Sequence, residues 1–151
     1  MQIIKDKHII DDIWQAVVDD ASLPTGDIIV SFERFQQEKR QLINRRAGKL
    51  GVRLHPTDAV AELADDLKQL DLIELDFLDF ADGRAFSQAW LLRERLGFKG
   101  ELRAVGSYMP DQAFYLSRVG VNAFCPEKFE DLPIILAKLN EFSVNYQKSV
   151  N

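Results

Sequence analysis

Leu72-Ile73-Glu74-Leu75-Asp76-Phe77 runs straight into Leu78-Asp79-Phe80-Ala81-Asp82-Gly83-Arg84-Ala85-Phe86-Ser87. The first six residues read as an apolar strand. Phe86, Ala89, Trp90 and Leu96 then fall at helical spacing, which predicts an amphipathic helix stopped by Gly97. Asp82 stands where a side chain caps the first turn of such a helix. A strand-to-helix junction of this kind lies at the carboxyl end of a strand, where open α/β sheets hold their ligands. Here it gathers Asp76, Asp79, Asp82, Gly83, Arg84 and Ser87 within twelve positions. A bare turn has no use for so much charge.

The same unit recurs outward from this stretch. Apolar runs fall at 28–32, 50–54, 72–77, 102–105 and 122–124, each followed by a helical segment. Runs rich in Val, Ile, Leu and Phe predict strands buried on both faces, hence a parallel sheet. Asp58, after Pro56-Thr57, opens a helix bearing Val60, Leu63, Ala64 and Leu67. Pro110 opens another that Gly120 ends, and Asp131 with Pro133 opens the last, striped by Ile135, Leu139, Phe142 and Tyr146. Ahead of them, Gln2-Ile3-Ile4 and His8-Ile9-Ile10 flank a turn at Asp6-Lys7, which predicts a hairpin.

Together these segments predict a single α/β domain over 1–151, with the hairpin in 1–12 and five β–α units in 27–147. The expected architecture is an open, mostly parallel five-stranded sheet with helices on both faces, a flavodoxin-like three-layer sandwich. A half barrel of the (β/α) kind is the rival. Five units cannot close an eight-stranded barrel alone, so closure would need an oligomer, and a homodimer stays an open expectation.

With 46% hydrophobic and 28% charged residues, the 151-residue chain has the composition of an ordinary soluble domain. Its net charge of −5 disfavours nucleic acid and anionic lipid as partners. The lone cysteine, Cys125, excludes an internal disulfide and a cysteine-only cluster within one monomer, and fits a reducing cytoplasm. No apolar run approaches 18 residues and the first six residues do not read as a signal peptide, so the expected place is the cytoplasm, off the membrane.

The loops after the strands share one edge. They bring Glu33 and Arg34, Arg53 and His55, Asp76 with the junction above, Ser107, Asp111 and Gln112, then Cys125 and Glu127. The helix start at Gly83, with Arg84 and Ser87, would cradle an anion, and Gly106-Ser107 offers a second cradle. With Arg53 these could hold a carboxylate, phosphate, sulfate or sulfite. The same residues also allow a purely structural account, in which Asp82 caps, Gly83 turns, and Arg84 pairs with Asp79 or Asp111.

Arg103, inside a strand, requires a carboxylate, and Glu74 on the neighbouring strand is its expected partner. His55 and Cys125 read as structural, and Arg93-Glu94-Arg95 as a solvated helix face. No G-x-x-x-x-G-K-[ST], G-x-G-x-x-G, H-E-x-x-H or C-x-x-C occurs. No bound cofactor or metal is therefore expected, and no nucleophile identifies itself.

Asp76-Phe77, Asp82-Gly83-Arg84, Ser87, 91–95, Gly97-Phe98, 100–106, Asp111-Gln112, Gly120 and Ala123-Phe124, with 50–54 and 142–147, resemble domain-of-unknown-function family 934. That family is bacterial and carries the label of an oxidoreductase of sulfite reduction, from genes beside the sulfite reductase haemoprotein. The resemblance implies an accessory protein of assimilatory sulfite reduction, assisting or docking to the haemoprotein or its electron donor. The alternative is an enzyme or binding protein for a small sulfur oxyanion or other anionic metabolite. Asp76, Ser107 and Lys128 also fall at intervals resembling a receiver domain of two-component signalling, though the acidic pair expected after its first strand is missing.

Overall fold

The computed structural model describes residues 1–79 and 83–150, with the helical backbone alone over 142–150. The expected capping residue Asp82, and the last two residues of the final helix stripe, Phe142 and Tyr146, thus lie outside what is described.

Eight strands form one sheet: β1 (Gln2–Lys5), β2 (His8–Asp11), β3 (Gln15–Ala16), β4 (Ile28–Ser31), β5 (Leu50–Leu54), β6 (Leu72–Phe77), β7 (Glu101–Gly106) and β8 (Ala123–Pro126). Their order across the sheet is β2-β1-β8-β7-β6-β5-β4-β3. β3 to β8 run parallel, whereas β1 lies antiparallel to both β8 and β2. The hairpin between β1 and β2 turns on Asp6 and Lys7 at φ +50° and +66°, the left-handed pair a two-residue turn demands.

This topology overturns the flavodoxin-like sandwich, and with it the receiver-domain comparison. A doubly wound sheet reverses its strand order once, and that reversal sends helices to both faces. Here β4, β5, β6, β7 and β8 are each placed beside the one before. Successive crossovers of one hand then put every helix on the same face. That face carries Val30, Val52, Leu54, Ile73, Leu75, Leu102, Ala104 and Phe124 into one core with Phe35, Leu42, Leu63, Ala89, Leu92, Leu116 and Ile135. Each of the larger side chains, fully buried, contributes about 1.5–3 kcal/mol.

The other face curls inward, and chain length shows how far. β2 and β3 are opposite edges of the sheet, seven spacings apart, which is roughly 34 Å if the sheet were flat. Yet only Asp12, Ile13 and Trp14 join Asp11 to Gln15, a reach of at most about 14 Å. The sheet is a curled half barrel, and residues 12–14 strap its two edges together.

The outer layer comprises α1 (Phe32–Gln37), α2 (Lys39–Ile43), α3 (Arg84–Trp90) continued by a π-helical turn (Leu91–Arg95), α4 (Gln112–Arg118) and α5 (Leu132–Val150). Ser31 caps α1 by accepting from the Arg34 backbone N–H at 3.1 Å. The helix expected after β5 is only two 3₁₀ turns, Val60–Leu63 and Leu67–Gln69. Asp58, read as its cap, instead accepts from the His55 backbone N–H at 2.7 Å and closes the preceding turn. The stripe read for α3 is also rotated: Ala85, Ala89 and Leu92 are buried, while Phe86 and Trp90 are exposed. No described helix is long and apolar enough to cross a membrane.

Candidate functional site: a charged cavity on the concave face

Side chains alternate across a strand, so the residues one position out of phase with the core line the concave face. Register sets Ser31, Arg53, Glu74, Arg103 and Ala123 side by side across β4 to β8. One layer nearer the carboxyl ends lie Asp76, Val105, Cys125 and Ile3. The strap closes the opening with Asp12 and Trp14. The result is a cavity of about 550 Å³ walled by Trp14, Arg53, Glu74, Asp76, Arg103 and Cys125 among others, with Ser107 and Glu127 on its rim.

Arg103 anchors the floor, and only 1% of it is exposed. Its Nε and Nη2 both donate to Glu101 Oε2, at 2.9 and 2.7 Å. Nη1 donates to Asp12 Oδ2 at 3.0 Å and lies 3.6 Å from Glu74 Oε2. Burial would lower the guanidinium's pKa, but Glu101 and Asp12 more than offset it and hold the pKa above its ordinary value. Glu101 also meets Lys5 Nζ at 3.3 Å, and Glu74 Oε1 accepts from Arg53 Nε at 2.8 Å. Lys5, Arg53 and Arg103 thus balance Asp12, Glu74 and Glu101, three charges against three. Buried charges persist only when paired in this way.

Two groups at the wall keep hydrogen-bonding capacity beyond that balance. Arg53 is fixed through Nε, but its side chain is 43% exposed and its Nη groups have no hydrogen-bond partner among the described residues. Asp76, half-buried one strand over and two residues beyond Glu74, likewise has no partner for its carboxylate among the described residues. The backbone keeps that corner open. Gly106, at φ +101°, would with a Cβ come within 2.4 Å of the Phe77 carbonyl oxygen and 3.3 Å of Asp76 Oδ1. On the rim, Ser107 Oγ donates to Glu127 Oε2 at 2.6 Å.

Cys125 faces the same cavity, half-buried. Burial pushes its thiol pKa up; Arg103 and Arg53 oppose that, and Glu74 and Asp12 reinforce it. It is a thiol rather than a thiolate at neutral pH, which is a poor nucleophile. Behind it Tyr108 is buried, donates to the Ala104 carbonyl oxygen at 3.1 Å, and has its pKa pushed well up by burial. Among the described residues no His, Cys, Asp and Glu cluster forms a metal site.

Of the residues read as anion-binding candidates the cavity brings together Arg53, Asp76 and Ser107, and Glu74, Arg103, Cys125 and Glu127, also singled out from the sequence, join them. Gly83, Arg84 and Ser87 line a separate hollow on the outer layer, beside Pro56 and Gln88. Asp111 pairs with Lys138 at 3.3 Å, and Gln112 Oε1 accepts from the Met109 backbone N–H at 2.7 Å. Arg34, placed on the loop edge, is instead buried in α1 against Glu38 and the Val18 carbonyl. His55 turns its Nδ1 to Thr57 Oγ1 at 2.8 Å. Arg103 meets Glu74 as expected, but Glu101 and Asp12 are its nearer partners. Asp12 and Trp14 went unread, although a buried arginine needing more acid than one glutamate supplies was a signal.

No curated protein matches the chain. A family described as a bacterial protein of unknown function (DUF934) matches residues 51–151, that is, 101 of 151. The match begins at β5 and so takes in Arg53, Glu74, Asp76, Arg103, Ser107, Cys125 and Glu127, leaving the strap outside. From β5 through α5 and across most of the cavity wall, the chain belongs to the DUF934 family.

Proposed function

We propose that the protein binds a small oxyanion-bearing metabolite in the concave cavity, and that it serves sulfite reduction as an accessory to the haemoprotein or its electron donor. Arg53 carries the first half: its guanidinium is oriented by Glu74 through Nε while both Nη groups remain to be used at the cavity wall. A planar pair of N–H donors suits a carboxylate or a sulfur oxyanion. The setting rests on the family resemblance, which makes sulfite the first ligand to try. A net charge of −5 suits docking on a basic partner face.

The cavity contains its own reporter. Of the two tryptophans, Trp14 lines it and Trp90 is exposed on α3. In a Trp90→Phe background, sulfite should change Trp14 fluorescence saturably. Arg53→Gln should weaken that response at least tenfold, and an equal response in the variant rules Arg53 out as anchor. The setting is tested by a deletion strain. Growth failing on sulfate and sulfite but rescued by sulfide supports it, and normal growth on all three removes it.

A further inference from the structure

The wall residues that remain after internal pairing do not favour a simple anion. The six side-chain charges of the network cancel, so among the described residues Asp76 and Glu127 leave a formal −2 on the wall and rim, and the α-ammonium of Met1, also on the wall, offsets one of the two. Ser107 occupies one oxygen of Glu127, and a hydroxyl supplies no countercharge. A purely anionic ligand would meet the Nη donors of Arg53 while facing two carboxylates with one ammonium between them. A ligand with a protonated amine at its other end would meet Asp76 instead. Arg53 and Asp76 sit on adjacent strands, offset by two residues along the sheet. That is roughly 8 Å between their Cα atoms, and the arginine side chain reaches well into that gap. A short molecule can touch both. The absence of a Cβ at Gly106 leaves the space beside Asp76 Oδ1 clear for it.

From this we infer that the cavity selects a zwitterion of the amino-acid class, its oxyanion on Arg53 and its ammonium on Asp76. The inference rests on the oxyanion reading above and narrows it. The ligand's ammonium meets Asp76, which has no partner among the described residues, and the two contacts together fix the direction of the ligand. Opposite charges on the protein also repel a ligand offered the wrong way round, which is how a small site discriminates.

The test compares matched pairs by Trp14 fluorescence in the full-length Trp90→Phe protein: glycine, β-alanine and 4-aminobutyrate against acetate, propionate and butyrate. At least one zwitterion should bind tenfold or more tightly than its deaminated counterpart. Asp76→Asn should erase that preference while leaving the simple carboxylate's affinity unchanged or improved, and Arg53→Gln should weaken both members of the pair. Zwitterions binding no better than their counterparts would overturn this inference and leave the oxyanion site standing. If neither sulfite nor any of the six compounds gives a saturable response, the oxyanion reading falls and this one with it. Far-ultraviolet circular dichroism and a urea midpoint within error of the parent would show that the half-buried Asp76→Asn variant is folded.

Discussion

Arg103 shows what one residue demands of its surroundings. With 1% exposure it cannot be solvated, so three carboxylates converge on it from three places in the chain: Asp12, Glu74 and Glu101. Arg103→Met would leave those carboxylates facing one another without their cation. The expected loss is about 3–5 kcal/mol, read from urea unfolding; a change under 1 kcal/mol would mean that water reaches the site. Tyr108 makes a different demand. Its folded pKa, like that of Cys125, lies above the unfolded one, so stability is intact below the ordinary values and declines as pH rises past them. Unfolding free energy should fall from about pH 8.5 on account of the thiol, and further above about pH 10 on account of the phenol. Tyr108→Phe should flatten the second part, and cost about 1 kcal/mol at neutral pH because the Ala104 carbonyl loses its donor. At this scale the sequence was partly readable. That a strand arginine needs acid follows from electrostatics alone, but which distant acids answer depends on a curl that no local pattern encodes.

Individual elements were more legible than their arrangement. Five of the six parallel strands, β4 to β8, lie where the apolar runs put them, within one or two residues, because Val, Ile, Leu and Phe between turn residues leave little choice; the two-residue β3 was not read. What was misread was their second face. Arg53 in β5, Glu74 and Asp76 in β6, and Glu101 and Arg103 in β7 each alternate with buried apolar residues. That period of two marks a sheet with one polar side, not one covered on both. Arg93 is the other lesson. Read as part of a solvated helix face, it is half-buried and donates to the carbonyls of Phe98, Gly100 and Gly120 at 2.8–2.9 Å. Burial lowers its pKa, with Asp6 working against that. Gly120, at φ +105°, leaves it room, since a Cβ there would lie 2.2 Å from Arg93 Cγ. Gly120→Ala should therefore cost about 1–3 kcal/mol in thermal or urea unfolding, whereas the exposed Phe86→Ala should cost under 1 kcal/mol.

For the whole molecule, the strap and the hairpin decide whether the curl is kept. Removing residues 1–12 deletes Asp12, strips β8 of its antiparallel neighbour and leaves an open sheet edge beside Arg103. Tm should drop by about 10 °C or more, as a loss of several kcal/mol does in a chain of this size. The shortened protein should also self-associate on size-exclusion chromatography. A monomer with an unchanged Tm would show that the parallel strands hold their curvature alone. The half barrel was within reach of the sequence only as a rival, because strand order is set by crossover direction and by which distant edge the N-terminal hairpin joins.

That hairpin has a consequence for the birth of the protein. Ile4 pairs with Phe124, so β1 waits for a strand made about 120 residues later. At roughly 5–20 residues per second the ribosome needs on the order of ten seconds to supply it. Throughout that time Ile3 and Ile4, both sealed from water in the finished protein, have no lasting cover. Refolding should accordingly be slow for a chain of this size. A strand made before its partners is thus among the last to be paired.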